Sequence, residues 1–209
     1  MTIAVQASLF DLPVAAQAPP LPGGLRRVAL EHGAWVDVLP QWLGGADALF
    51  DRLLAGVPWV AERRRMYDRV VDVPRLLAFY PEGAELPDPL LAEALDQLNE
   101  HYAPQLGEPL RTAGLCLYRD GRDSVAWHGD DTGRSRTEDT MIAIVSLGAP
   151  RHLALRPRGG ATRHRFALGH GDLVVMGGSC QRTWEHAVPK TNRIVGPRIS
   201  VQFRPRGVR

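Results

Sequence analysis

The stretch Arg198-Ile199-Ser200-Val201-Gln202-Phe203-Arg204 alternates polar and apolar side chains without a break. Period-two alternation marks a strand, so Arg198, Ser200, Gln202 and Arg204 share one face and Ile199, Val201 and Phe203 the other. Two architectures accommodate this. In an ordinary half-buried strand the polar face looks at water. In a barrel built around a metal the polar face points inward, where Arg198 offers a planar fork to a dicarboxylate co-substrate and Arg204 lies further along the same face.

The segments upstream decide the class. Leu115 and Leu117 alternate with Cys116 and Tyr118, and similar short runs recur at 141–145, 152–156, 165–168 and 172–176. Short strands separated by turns such as Arg158-Gly159-Gly160 and Gly169-His170-Gly171 predict a β-sandwich or jelly roll. Before them, 34–38 reads as a strand. Residues 45–56 read as a short helix bearing Leu49, Phe50, Leu53 and Leu54, and 87–106 as a longer one with apolar residues every three or four positions. The expected class is α+β and mainly β. With 209 residues and 44% hydrophobic content, the chain suffices for one domain over 25–209, helices before 110 and a jelly-roll core from 111.

Outward from the last strand, Ser124-Val125-Ala126-Trp127-His128-Gly129-Asp130-Asp131 places an imidazole and a carboxylate two residues apart in an extended segment, so both point the same way. A second imidazole, His186, lies in Trp184-Glu185-His186-Ala187-Val188. Two histidines and one carboxylate leave half an octahedron open, the facial arrangement that suits non-haem Fe(II) with a co-substrate and O2. The plainer alternative is two solvated polar residues on a strand edge.

Composition narrows the remaining classes. No apolar run is long enough to span a bilayer and the N-terminus lacks a secretion signal, so a cytoplasmic protein, expected to be monomeric and without membrane contact, is implied. Cys116 and Cys180 form neither a disulfide framework nor a zinc spacing. The net charge of +2 conceals an asymmetry: residues 140–209 hold twelve Lys/Arg against Asp172 and Glu185, and 24 of the 25 cations in the chain are Arg. Guanidinia suit planar contact with phosphate or carboxylate.

Residues 1–24, rich in Pro and Gly, read as a flexible arm. Within it Gln6-Ala7-Ser8-Leu9-Phe10 resembles the bacterial peptide that docks on the DNA polymerase sliding clamp; Gln6, Ser8, Leu9 and Phe10 carry the match, and a plain arm is the alternative. The 59–80 stretch combines Arg63-Arg64-Arg65 with Tyr67, Phe79 and Tyr80, charge and aromatics that suit an extruded or single-stranded nucleotide. An Arg-rich solvated hairpin would look the same.

The order His128-x-Asp130, His186, then Arg198 with Arg204 six later resembles the AlkB family of 2-oxoglutarate- and Fe(II)-dependent nucleic-acid dealkylases, over about residues 59 to 206. Tyr118-Arg119-Asp120-Gly121, Val145-Ser146-Leu147-Gly148 and the 170–178 segment add to the likeness, and Pro74-Arg75-x-x-Ala78-x-Tyr80 is similar to the nucleotide lid of members acting on duplex DNA. The resemblance implies a double-stranded β-helix with an N-terminal helical cover and a lid. It assigns Fe(II) to His128, Asp130 and His186, and 2-oxoglutarate to Tyr118, Arg198 and Arg204. O2 is the oxidant, with ascorbate a useful assay additive. DNA, with RNA as the alternative, would be held by Arg75 and Tyr80, with Arg65 and Tyr67 nearby. The family usually carries Asn at the positions of Cys116 and Ser200, and often a carboxylate at that of Thr132, which here follows Asp131. Co-substrate affinity and base preference therefore do not transfer directly. The same fold acting on a protein or small molecule, or a non-catalytic nucleic-acid binder, are the competing readings.

Overall fold

The computed structural model describes residues 16–22, 25–66 and 69–208, with the side chains of 64–71 excluded. The clamp-like motif Gln6–Phe10 and Tyr67 lie outside the described residues. Twelve strands and three helices are formed by these residues: β1 Arg26–Ala29, β2 Trp35–Leu39, α1 Ala46–Gly56, β3 Val60–Met66, β4 Arg69–Tyr80, α2 Pro89–Tyr102, β5 Leu110–Tyr118, β6 Val125–His128, β7 Ile142–Gly148, β8 Arg151–Pro157, β9 His164–Leu168, β10 Asp172–Gly177, α3 Cys180–Thr183, β11 Trp184–Val188 and β12 Arg198–Pro205. They build two facing antiparallel sheets, one in the order β1-β2-β10-β7-β12-β5-β4-β3 and one in the order β6-β11-β8-β9. This is the mainly β, double-stranded β-helix expected.

Side-chain alternation assigns each strand two faces. On β12, Ile199, Val201 and Phe203 join the core beneath the helices, together with Leu115 and Leu117 of β5 and Val145 of β7. The opposite face of the large sheet meets the small one through Cys116, Tyr118, Ile144 and Val174 against Leu153, Leu155 and Trp184. The polar face of β12 therefore looks into the space between the sheets and not at water. Each fully buried aliphatic side chain contributes about 1.5–3 kcal/mol relative to exposure, which favours this register over its one-residue slip.

The cover follows local rules. Leu49 and Leu53 of α1 and Leu91, Ala94 and Leu98 of α2 are fully or almost fully buried. Asp88 caps α2: its Oδ1 accepts from the Leu90 N–H at 3.0 Å, Pro89 occupies the first turn, and Oδ2 accepts from Arg52 Nε at 2.6 Å, tying α1 to α2. The 59–80 stretch is the β3–β4 hairpin. Pro74 lies inside β4 where the pairing register shifts between Ala61 and Arg63 of β3, so its missing N–H leaves no ladder bond open. Leu76–Tyr80 pair with β5, whereas among the described residues 69–72 pair with β3 alone, extending the hairpin beyond the sheet.

The charge asymmetry resolves into pairs between the two halves of the chain. Arg206 reaches Glu82, Arg163 Glu31, Arg158 Asp131 and Arg182 Asp139, while Arg156 pairs with Glu185. Much of the excess positive charge of 140–209 is thus neutralised within the fold.

Candidate active site

His128 ends β6, His186 is central in β11, and the two lie directly opposite each other in the antiparallel pair. Their ring centroids are 4.2 Å apart. Asp130 follows β6 in an irregular segment, and its side chain converges with that of His128 as the i, i+2 spacing predicts, held there by a contact with α3. A Cβ on Gly129 would stand 2.3 Å from the Gln181 carbonyl oxygen, so this residue type lets the backbone press against α3. There Gln181 Oε1 accepts the Asp130 N–H at 3.0 Å, and Ser135 Oγ donates to the Asp130 carbonyl. The three side chains offer one ligand atom each, all within 4.8 Å of one another.

Protonation suits a cation. His128 Nδ1 lies 2.8 Å from the Ala126 carbonyl, which can only accept, so Nδ1 carries the hydrogen. In the neutral ring Nε2 then holds a lone pair, 3.4 Å from Asp130 Oδ1. Two acceptors facing each other at that distance are bridged by a proton or by a metal cation. Burial works to raise the Asp130 carboxyl, but the Arg204 guanidinium and the two imidazoles outweigh it and hold the group well below the usual carboxylate range. Burial, with His128 beside it, pushes His186 down to about 3, keeping the ring neutral. The donor set fits a divalent metal.

Arg204 donates to Asp130 Oδ2 from Nε at 2.8 Å, and its second terminal nitrogen stands 2.7 Å from the same oxygen as an ion pair. Oδ2 is therefore occupied and Oδ1 is the oxygen left for a ligand. A Cβ on Gly114 would lie 2.9 Å from the other terminal nitrogen of Arg204, so the missing side chain makes room for this guanidinium.

Along the same face, Arg198 is 2% exposed. Its Nε donates to Ser146 Oγ at 2.9 Å, while Nη1 is buried without a partner. Among the described residues no carboxylate lies within ion-pair distance, and burial pushes the guanidinium pKa down. Tyr118, directly opposite in the ladder, has its ring centroid 5.2 Å from the guanidinium carbon. Burial, with Cys116 adding to it, pushes the Tyr118 phenol up to about 12, so it remains an O–H donor. A buried, incompletely bonded guanidinium beside a phenol is a carboxylate site. It fits 2-oxoglutarate.

The triad and this anion site open into one cavity of about 760 Å³, which Thr132, Ser200 and Gln202 also line and whose far wall is the hairpin, through Glu62, Arg75 and Phe79. Arg75 donates to the Ser124 carbonyl at 3.1 Å and leaves Nε buried without a partner. Of the expected nucleotide contacts, the structure brings Arg75 and Thr132 to the cavity but not the other two that it describes. Tyr80 is on the opposite face of β4, packed on the core under the helices. Residues an odd number apart on a strand point opposite ways, so Phe79, not Tyr80, shares the cavity with Arg75. Asp131 is turned outward to Arg158. The side chain of Arg65 is not among those described. Sequence reasoning missed Gln181, whose role depends on a contact 51 residues away, and left Phe79 undistinguished from Tyr80, which strand alternation could have separated.

A family model for the 2OG-Fe(II) oxygenase superfamily matches residues 44–204. The chain is also 33% identical over 207 residues to alpha-ketoglutarate-dependent dioxygenase alkB homolog 3 of Bos taurus, covering 89% of this chain and 70% of that one. The chain belongs to the 2OG-Fe(II) oxygenase superfamily, in its AlkB-like branch. This AlkB-like protein is therefore a 2-oxoglutarate-dependent dioxygenase using Fe(II) and O2. Human DNA oxidative demethylase ALKBH2 is 27% identical over 178 residues, 76% of this chain and 68% of its own. Among solved structures, a 2OG-Fe(II) oxygenase family oxidoreductase from Burkholderia pseudomallei aligns with TM-score 0.56 at 15% identity, over 81% of this chain and 84% of that one. A Trichoplax adhaerens prolyl hydroxylase, in complex with a hypoxia inducible factor peptide fragment, aligns with TM-score 0.59 at 12% identity, over 81% and 82%. These two likenesses carry the AlkB-like dioxygenase's fold.

Proposed function

We propose that this dioxygenase removes N-alkyl groups from nucleobases in DNA. RNA is the second polymer to test. The observation that carries this reading is the cavity itself, in which one wall presents the His128, Asp130 and His186 donors and the other the Arg75 and Phe79 face of the β3–β4 hairpin. A flat base can be admitted between them, with an aromatic side chain and a cation at the mouth for its neighbours. The likeness to a DNA oxidative demethylase points the same way.

In this reading His128, Asp130 through Oδ1, and His186 hold Fe(II). Arg198, with Tyr118, orients the far carboxylate of 2-oxoglutarate. Iron, 2-oxoglutarate and O2 together supply the oxidising power that converts an N-methyl group to N-hydroxymethyl, with succinate and CO2 as co-products. The hydroxymethyl amine then releases formaldehyde and leaves N–H, a step that needs no side chain of unusual pKa. The protein contributes placement and shelter: β5, β7 and β12 fix the anion site, the hairpin covers the base, and the buried walls exclude water. The amide of Gln202, whose Nε2 lies 3.4 Å from Cys116 Sγ, supplies polar contacts in the region where the family pattern expects asparagine.

The test is succinate formation with and without a methylated oligonucleotide. Succinate production coupled to the oligonucleotide, and lowered by Arg75→Ala, supports the proposal. Turnover that ignores nucleic acid but follows a protein or small metabolite refutes it.

A further inference from the structure

The inner face of β12 carries a residue that belongs to neither the metal donors nor the anion site. Gln202 sits between them, opposite Gly114 in the β5 ladder. Its Oε1 accepts from the terminal nitrogen of Arg204 at 2.5 Å, the same nitrogen that stands 2.7 Å from Asp130 Oδ2. Its Nε2 donates to Ser200 Oγ at 3.2 Å and lies 3.4 Å from Cys116 Sγ. Both ends of the amide are engaged, so its orientation is fixed by three partners on two strands.

We propose that Gln202 is a positioning residue for the metal site, acting through Arg204 on Asp130; this rests on the assignment of His128, Asp130 and His186 as the ligands. A guanidinium terminal nitrogen carries two hydrogens; here this nitrogen donates to Gln202 Oε1 while it stands 2.7 Å from Asp130 Oδ2, to which Nε of the same guanidinium donates. Without an acceptor at 202 this nitrogen loses its hydrogen-bond partner. Arg204 then loses one of its two anchors and is freer to swing about the other. If it swings, Oδ2 of Asp130 loses its clamp and the carboxylate is no longer confined to presenting Oδ1. Hydrogen-bond partners behind a metal ligand set its orientation, and their loss typically costs about 10- to 100-fold in metal affinity.

The alternative is that Gln202 fills space in the cavity wall and the 2.5 Å contact is incidental. A double-mutant cycle separates the two, read by calorimetric titration of the full chain with Mn(II), which needs no turnover. Gln202→Met keeps length and removes both hydrogen-bonding ends. We expect Mn(II) affinity to fall about 10- to 100-fold in this variant. In an Arg204→Met background the same substitution should change affinity less than about threefold, since the route to Asp130 is already cut. Should Gln202→Met fail to fold by thermal unfolding, Gln202→Thr, too short to reach Arg204, is read the same way. Wild-type Mn(II) affinity in the single variant, or an equal loss in both backgrounds, overturns the inference. Asp130→Ala in the same series distinguishes the failures. Undiminished Mn(II) binding there overturns the triad and this inference with it. Lost binding there, with unchanged binding in the Gln202 variant, overturns the inference alone.

Discussion

Arg198→Met is the most informative single change to the anion site, because it should separate stability from binding. The wild-type guanidinium is buried, makes one hydrogen bond to Ser146 and leaves Nη1 unpartnered. An uncompensated buried charge costs several kcal/mol even after relaxation, more than the about 1–3 kcal/mol lost by leaving Ser146 Oγ unbonded. Methionine fills most of the same volume without the charge. The ligand-free variant should therefore be no less stable than wild type. Binding is a different matter. A ligand present at 100 times its Kd stabilises the folded state by about 2.7 kcal/mol, worth roughly 5–11 °C in Tm for a protein of this size. With Mn(II) held constant, 2-oxoglutarate should raise the wild-type Tm by about that amount and leave Arg198→Met unmoved. Differential scanning calorimetry reads both quantities. A variant that retains the full 2-oxoglutarate shift, or one that melts far below wild type without ligand, would show that Arg198 serves the core and not the co-substrate.

Gly129→Ala should weaken metal binding and lower Tm together, since the new Cβ would meet the Gln181 carbonyl at 2.3 Å and neither backbone segment is free to retreat; Mn(II) titration and calorimetry check both. Arg198→Lys keeps the charge and loses the fork, so 2-oxoglutarate affinity should fall at least tenfold, for about 1.5–3 kcal/mol of charge-assisted hydrogen bond; an unchanged apparent constant contradicts the geometry. Phe79→Ala should reduce oligonucleotide-coupled succinate formation several-fold while Tyr80→Phe changes it less than twofold, because the two side chains are on opposite faces of β4; the reverse order sinks that placement. Deleting residues 1–11 is expected to abolish binding to a bacterial sliding clamp in a pull-down and to leave turnover on short oligonucleotides intact; a deletion that still binds makes the Gln6–Phe10 match accidental.

Much of this site was legible because alternation is a short-range property. The strict period of β12 assigned Arg198, Ser200, Gln202 and Arg204 to one face, and the jelly-roll pattern told which face was inside. The His128-x-Asp130 pair was legible as a convergent pair, but what holds it is Gly129 packing on Gln181, a contact no local pattern contains. Tyr80 was grouped with Arg75 although five residues separate them, and strand geometry alone places the two on opposite faces. The charge excess of 140–209 suggested contact with phosphate or carboxylate because a sum along the chain cannot foresee partners such as Arg206–Glu82 or Arg163–Glu31, over a hundred residues apart. Gln202 was visible on the inner face, yet its connection to Asp130 runs through Arg204 and needed the cross-strand register.

The central claim, that the cavity admits an alkylated base to the His128–Asp130–His186 centre, is tested most directly by mass spectrometry of an oligonucleotide carrying a single 1-methyladenine or 3-methylcytosine. It is incubated with protein, Fe(II), ascorbate and 2-oxoglutarate, alongside the Asp130→Ala variant. Expected are loss of one CH2 unit from the oligonucleotide, one formaldehyde and one succinate formed per methyl removed, and no change with the variant. Methylated DNA and RNA left intact by wild-type protein, while succinate accumulates with a protein or metabolite substrate, would contradict it.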